Sequence, residues 1–276
     1  MSLGDGNGDR LPTASVRMEV GRYSPASAAQ RPNGSWRERR SDWLAGGIVK
    51  SMGFESEEQL VKAIVACTRR ARRLDYRVEL EVDAGVGIAD LVLAKRAART
   101  THALQVLGSI TPRLAVLLSP EVCSAITSKE SLAASLGATA GGTARVISHL
   151  SSLGLVKRQA GSLFISPIIT APFQRVIAVE AKISEWQRVL VQAYRNLQFA
   201  DESWVVLDHA YVRPALLQLD RFKEAGVGLA SMQHGRGLYI HLAAKTDGPM
   251  SGAKRWQAQA ILAARVIARR SASEGP

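Results

Sequence analysis

Polar and apolar residues change their spacing several times along this chain, and each change predicts an element. From Ser56, "SEEQLVKAIVACTRRARRL" puts Leu60, Val61, Ile64, Cys67 and Ala71 on one stripe at helical spacing. Arg69, Arg70, Arg72 and Arg73 crowd its last turn, where cations suit the helix dipole. "YRVELEVD" then alternates Val78, Leu80 and Val82 with Arg77, Glu79, Glu81 and Asp83, the pattern of a half-exposed strand. After the turn "AGVG", the run "IADLVLA" is apolar except for Asp90 and predicts a second strand, paired with the first as a hairpin. "RVIAVEAKISEW" alternates again, with Ile177, Val179, Ala181 and Ile183 on one face and Ala178, Glu180 and Lys182 on the other. It leads directly into the helix "SEWQRVLVQAYRNLQFAD", whose start is marked by Ser184 and Gln187 at capping-box spacing. "SWVVLDH" predicts a strand, "RPALLQLDRFKEAG" a helix closed by Gly226, "GLASMQHGRGLYIHLA" a hairpin, and "KRWQAQAILAARVIARR" a basic last helix.

Between His102 and Phe173 the pattern is different. Thr127 and Glu130 have capping-box spacing before a short helix carrying Leu132, Ala133 and Leu136, which Gly137 ends. A tight turn leads to a second helix in which Ala144, Ile147, Leu150 and Leu153 share a face. "GLVKRQAGSLFIS" follows as two short strands about a turn at Gly161, and "TPRLAVLLS" precedes the pair as a helical segment. Without this stretch the order is helix, strand, strand, strand, helix, strand, which predicts an α/β fold with a mixed sheet flanked by helices.

Composition sharpens this picture in one respect. The 276 residues are 46% hydrophobic and 22% charged, ordinary for a globular protein, but 36 Lys and Arg against 24 Asp and Glu give a net charge of +12. Such an excess favours a polyanionic partner, nucleic acid or an acidic membrane surface. No apolar run is long enough to span a bilayer, and the N-terminus lacks the apolar core of a secretory signal, so no membrane partner is expected. Cys67 and Cys123 lie far apart in apolar surroundings and read as free thiols, suited to a reducing, cytoplasmic compartment. Residues 1–45 show no periodicity and read as a flexible basic arm.

The three charged residues that interrupt apolar strands carry the candidate chemistry. A charge within an apolar strand is costly unless it has a partner. Pairing the Asp90 strand with the Glu180 strand would gather Asp90, Glu180 and Lys182 at one end of the sheet. Two carboxylates at that separation chelate a hard divalent cation, and a neighbouring lysine orients a water or offsets charge on a phosphate.

Asp90 followed by Glu180-Ala181-Lys182 running into a helix resembles the PD-(D/E)XK phosphodiesterase superfamily, with its restriction-endonuclease-like fold. The resemblance covers roughly Ser56 to Leu242 once the middle stretch is removed, with Ala89 where many members have proline and an unusually long gap from Asp90 to Glu180. It implies Asp90 and Glu180 as metal ligands, the Ala181 carbonyl as a third, Lys182 as the catalytic lysine, and Mg2+ or Mn2+ as cofactor. A glutamate of the first helix often joins such sites. Glu57, three and seven residues before Leu60 and Ile64, is the better candidate and Glu58 the reserve. Gln192 fills the place of a glutamine found in the helix after the lysine.

The middle stretch resembles a winged helix-turn-helix domain, most closely in "SHLSSLGLV" running into the wing. That likeness implies a second helix in the major groove and a wing on the backbone. Thr139, Thr143, Arg145, Ser148 and His149 are then the outward residues, with Lys157 and Arg158 at the wing. Its five basic and two acidic residues give only +3, so the arm, the last helix or formation of a homodimer would have to raise its DNA affinity. The expected organisation is an arm at 1–45, a nuclease-like core at 46–101 and 173–250, the insert at 102–172, and a basic helix and tail at 251–276. The function read from this is a metal-dependent DNA nuclease, with a non-cutting DNA-binding regulator as the alternative and a protein-interaction scaffold as a weaker third.

Overall fold

Six strands form one mixed sheet, and their order places both carboxylate-bearing strands side by side near its centre. The computed structural model describes residues 53–70, 76–159, 162–165 and 170–273. The arm at 1–45, the end of the first arginine-rich helix and the wing turn at Gly161 lie outside the described residues. The strands are β1 (Tyr76–Asp83), β2 (Ile88–Arg96), β5 (Phe173–Lys182), β6 (Glu202–Asp208), β7 (Gly228–Gln233) and β8 (Gly237–Leu242), paired in that order. β5–β6 and β6–β7 are parallel, and β1–β2, β2–β5 and β7–β8 are antiparallel. A parallel pair needs a crossover, which helix α7 (Trp186–Asn196) supplies between β5 and β6. The α/β class and the mixed sheet agree with the hydrophobic patterning.

One face of the sheet is covered by α1 (Glu57–Arg70). Leu60 and Ile64 of α1 pack with Leu91, Val179, Ala181, Val206 and Ala230. Each such buried side chain contributes about 2 kcal/mol, enough to fix the helix and hence the direction of its first residue, Glu57. The other face is covered twice. Val189 and Ala193 of α7 join Val205, Leu207 and Leu229. Beside them, the helices α2 (Thr101–Ser109) and α10 (Gly252–Ser273) enclose Val92, Ala94, Val176 and Ala178.

The middle stretch continues through α3 (Pro112–Ala115), α4 (Pro120–Ala125), α5 (Lys129–Leu136), α6 (Ala140–Ser152) and the ribbon β3 (Val156–Gln159) with β4 (Ser162–Ile165). Its buried residues, among them Leu132, Ile147, Leu150 and Leu163, belong to the same apolar cluster as Leu262 and Ala263 of α10. Gly137 ends α5 in the left-handed conformation, φ 56°.

Several local expectations change. The helix expected over 213–226 is broken into α8 (Arg213–Leu216) and α9 (Leu219–Ala225). The capping box of α5 is Ser128 with Ser131, not Thr127 with Glu130. α7 starts without one: its N-cap is Glu185 at φ 57°, with no side-chain cap bond. In β1 the alternation fails at one place, where Glu79 is buried and Leu80 exposed; beyond Glu81, at φ 48°, it returns, with Val82 buried and Asp83 exposed. Arg269 of α10 reaches Glu79 at 2.8 Å, which makes the buried carboxylate tolerable. Arg265 also donates to the carbonyls of Leu80 and Glu81, so α10 covers the outer edge of β1. Those arginines of the basic helix are thus engaged within the fold.

Candidate active site

The β2–β5 ladder stops at Leu91 opposite Val179. The next residues out, beyond the last paired positions, are Asp90 on β2 and Glu180 on β5, and the charge of Asp90 acts on Glu180. The ladder stops because a side chain replaces the backbone acceptor: the Ala181 N–H donates to Oδ2 of Asp90 at 2.9 Å. Lys182, at the end of β5, is 3.8 Å from the same oxygen and 2.6 Å from Oε2 of Glu57. Three elements, α1, β2 and β5, therefore bring Asp90, Glu180, Lys182 and Glu57 together. Glu58 turns away and pairs with Lys62 on the exposed side of α1.

Glu180 is only 1% exposed, and its Oε1 accepts from Nδ2 of Asn196 at 2.6 Å. Asn196 was not singled out by the sequence, yet a signal was there. It continues the buried stripe of Val189 and Ala193 on α7 and is polar where that stripe is apolar. Gln192 lies one turn earlier on the same helix, and its Oε1 is buried without a hydrogen-bond partner. The contact with Glu180 belongs to Asn196 instead.

Burial, and then the charge of Asp90, push the Glu180 carboxyl up to about 7, against the opposing pull of Asn196 and Lys182. Its Oε2 is buried and accepts no hydrogen bond. For Lys182 burial disfavours the charge, but the bond to Glu57 and the fields of Asp90, Glu57 and Glu180 outweigh it and hold the ammonium above its ordinary value. Lys182 is therefore a cation here, suited to balancing negative charge rather than to accepting a proton.

Three carboxylates face one ammonium, a surplus of two negative charges when all are ionised. That surplus adds to burial, the larger cause, in raising Glu180. An orphaned, buried carboxylate oxygen beside a second carboxylate suits a hard divalent cation. Among the described residues, no group of three His, Cys, Asp or Glu side chains is spaced to hold a metal ion. A cation at Asp90 and Glu180 would thus take its remaining oxygens from the backbone and water.

The residues expected to meet DNA separate into two sets. Arg145, Ser148 and His149 on α6 and Lys157 and Arg158 on β3 are exposed. Thr143 is not: it is buried with Ile147 and Leu150, and its hydroxyl donates to the Thr139 carbonyl at 2.9 Å. The buried face of α6 therefore runs through Thr143, Ile147 and Leu150, and Ala144 is exposed. Thr139 is exposed but caps the helix, accepting from Gly142 N at 3.2 Å.

A second polar cluster lies two strands away. Oγ of Ser231 is 2.7 Å from Nδ1 of His209 and 2.7 Å from Nε2 of His241. One hydroxyl proton serves one ring only, so with both imidazoles neutral the other ring must donate. Among the described residues no helix is long and apolar enough to cross a membrane. No protein-family model, curated protein or solved structure matches this chain.

Proposed function

We propose that this chain is a divalent-metal-dependent nuclease of the PD-(D/E)XK type that hydrolyses DNA phosphodiester bonds. The single observation that carries this reading is the meeting of Asp90 with β5 just past the last β2–β5 pair, its Oδ2 2.9 Å from the Ala181 nitrogen and 3.8 Å from Lys182 Nζ, with Glu180 the residue before Ala181. The mixed sheet, with α1 on one face and the β5–α7–β6 crossover, supports a restriction-endonuclease-like fold.

Asp90, Glu180 and the carbonyl of Ala181 would hold Mg2+ or Mn2+. When bound, such an ion acidifies a water and polarises a phosphoryl oxygen. Asp90 is oriented by the Ala181 N–H and Glu180 by Asn196. The Lys182 ammonium offsets charge on the phosphate under attack, and Glu57 positions that ammonium. The helices α5 and α6 with the β3–β4 ribbon support a winged helix-turn-helix insert over 102–172. It would present Arg145, His149, Lys157 and Arg158 to the duplex, with Thr139 at the start of the second helix.

One observation favours the second reading, a DNA-binding regulator that does not cut. Lys182 is already bound to Glu57, and among the described residues no third His, Cys, Asp or Glu side chain completes a metal site. Incubation with plasmid and single-stranded DNA, with and without Mg2+, separates the two readings. Metal-dependent cleavage that disappears in Lys182→Ala while the protein stays folded supports the nuclease. Chelator-indifferent binding without cleavage supports the regulator.

A further inference from the structure

We infer that Arg77 and Arg96, with Arg270 beside them, form a clamp for the phosphates of a nucleic-acid backbone at the end of β2 remote from Asp90. Arg77 stands directly opposite Ala94 in the β1–β2 ladder. Arg96 lies two residues beyond Ala94 along β2, so the two guanidiniums leave the sheet from the same face. That is also the face of α10, whose Arg269 donates to Glu79 at 2.8 Å and to the Val78 carbonyl at 3.5 Å, with Arg270 the next residue.

Among the described residues neither Arg77 nor Arg96 takes part in an ion pair. Glu79, two residues from Arg77 on the same face of β1, is engaged by Arg269. Nε of Arg96 is buried without a hydrogen-bond partner. Burial, then the charges of Arg270 and Arg77, hold the Arg96 guanidinium below its ordinary value. Like charges gathered in this way repel, and an anion relieves the repulsion. The donors are all arginine, whose planar fork matches a phosphate with two hydrogen bonds at once.

Position selects the partner. Arg96 is six residues along β2 from Asp90, about 20 Å at strand rise. A duplex rises about 3.4 Å per base pair, so a backbone needs at least about six steps to reach both places, passing outside α2 and α10, which cover Val92 and Ala94 between them. A lipid surface fits less well: of the exposed apolar side chains, Leu238, Tyr239 and Ile240 lie on β8 at the opposite edge of the sheet, Leu80 alternates to the other face of β1, and Ile88 lies at the far end of β2. The choice of nucleic acid rests on the nuclease reading of Asp90 and Glu180, whereas the anion site does not.

The test measures binding of a fluorescent duplex, long enough to reach both places, to Asp90→Asn protein in chelator. Salt is varied from about 50 to 200 mM. Adding Arg77→Gln and Arg96→Gln should lower the slope of log affinity against log salt by about two and weaken binding roughly tenfold. Arg77→Lys with Arg96→Lys should keep the slope, which excludes a folding defect as the cause. An unchanged slope in the folded glutamine variant overturns the clamp. So does a loss confined to vesicles of anionic lipid. Absence of cleavage by the wild-type protein in Mg2+ would count against the nuclease alone, because the binding measurement uses no metal.

Discussion

The side-chain amide of Asn196 donates to Oε1 of Glu180 at 2.6 Å, and both residues are almost fully buried. This bond favours the ionised carboxylate, the form a metal needs. Asn196→Ala should therefore lower Mn2+ affinity by about 10- to 100-fold in calorimetric titration, the usual effect of removing a partner behind a metal ligand. Equal affinity in the folded variant would show that Glu180 does not bind the ion.

Glu180 also governs stability against pH. Its folded value of about 7 lies above the ordinary 4.5, so the folded chain holds this proton more tightly than the unfolded one. The stabilisation is complete below about pH 4.5 and is lost as pH rises through 7. The ionised side chain then costs about 3 kcal/mol. Glu180→Gln should accordingly be more stable than wild type in urea at pH 8 and little different at pH 4.5. A wild-type protein at least as stable as the variant at pH 8 would refute this.

His241 acts in the opposite sense. Burial, and then the charge of His209, push its imidazole down to about 4 from 6.5. The unfolded chain then binds this proton more readily, so stability is lost as pH falls from about 6.5 towards 4. The half-buried ring limits the effect to about 2 kcal/mol. His241→Gln, which keeps a polar group near Ser231, should flatten the acid limb. The Glu180 and His241 trends oppose each other in wild type, so the difference between single variants is the quantity to read.

Glu57 and Glu58 offer an internal control. Glu57 is bound to Lys182 and Glu58 to Lys62, each at 2.6 Å. Exposed ion pairs contribute less than about 1 kcal/mol, so neither substitution by glutamine should shift the melting temperature much. Cleavage should fall at least about tenfold in Glu57→Gln, the scale of losing one positioned catalytic contact, and remain intact in Glu58→Gln. Equal loss in both, or in neither, would remove Glu57 from the site.

The strand alternation made Glu180 and Lys182 legible, and helical spacing preferred Glu57 to Glu58 for the site; of the two, Glu57 is the one in contact with Lys182. Both are periodic signals contained within one element. What was misread depended on distant partners. Glu79 is buried only because Arg269, 190 residues on, reaches it, and no local pattern carries that information. Thr143 is the local exception: 143, 147 and 150 have the spacing of a buried stripe, and the hydroxyl bonds to its own helix. Asn196 escaped notice because a polar residue on an apolar stripe identifies itself only once its partner, on a different element, is known.

The carboxylate of Asp90 accepts the backbone proton that would otherwise be left over where two strands part. Chemistry and architecture share one oxygen there. This position therefore suits short side chains ending in an acceptor, independently of any activity. An alanine would fray the seam as well as empty the cleft, whereas an asparagine withdraws the charge and keeps the stitch.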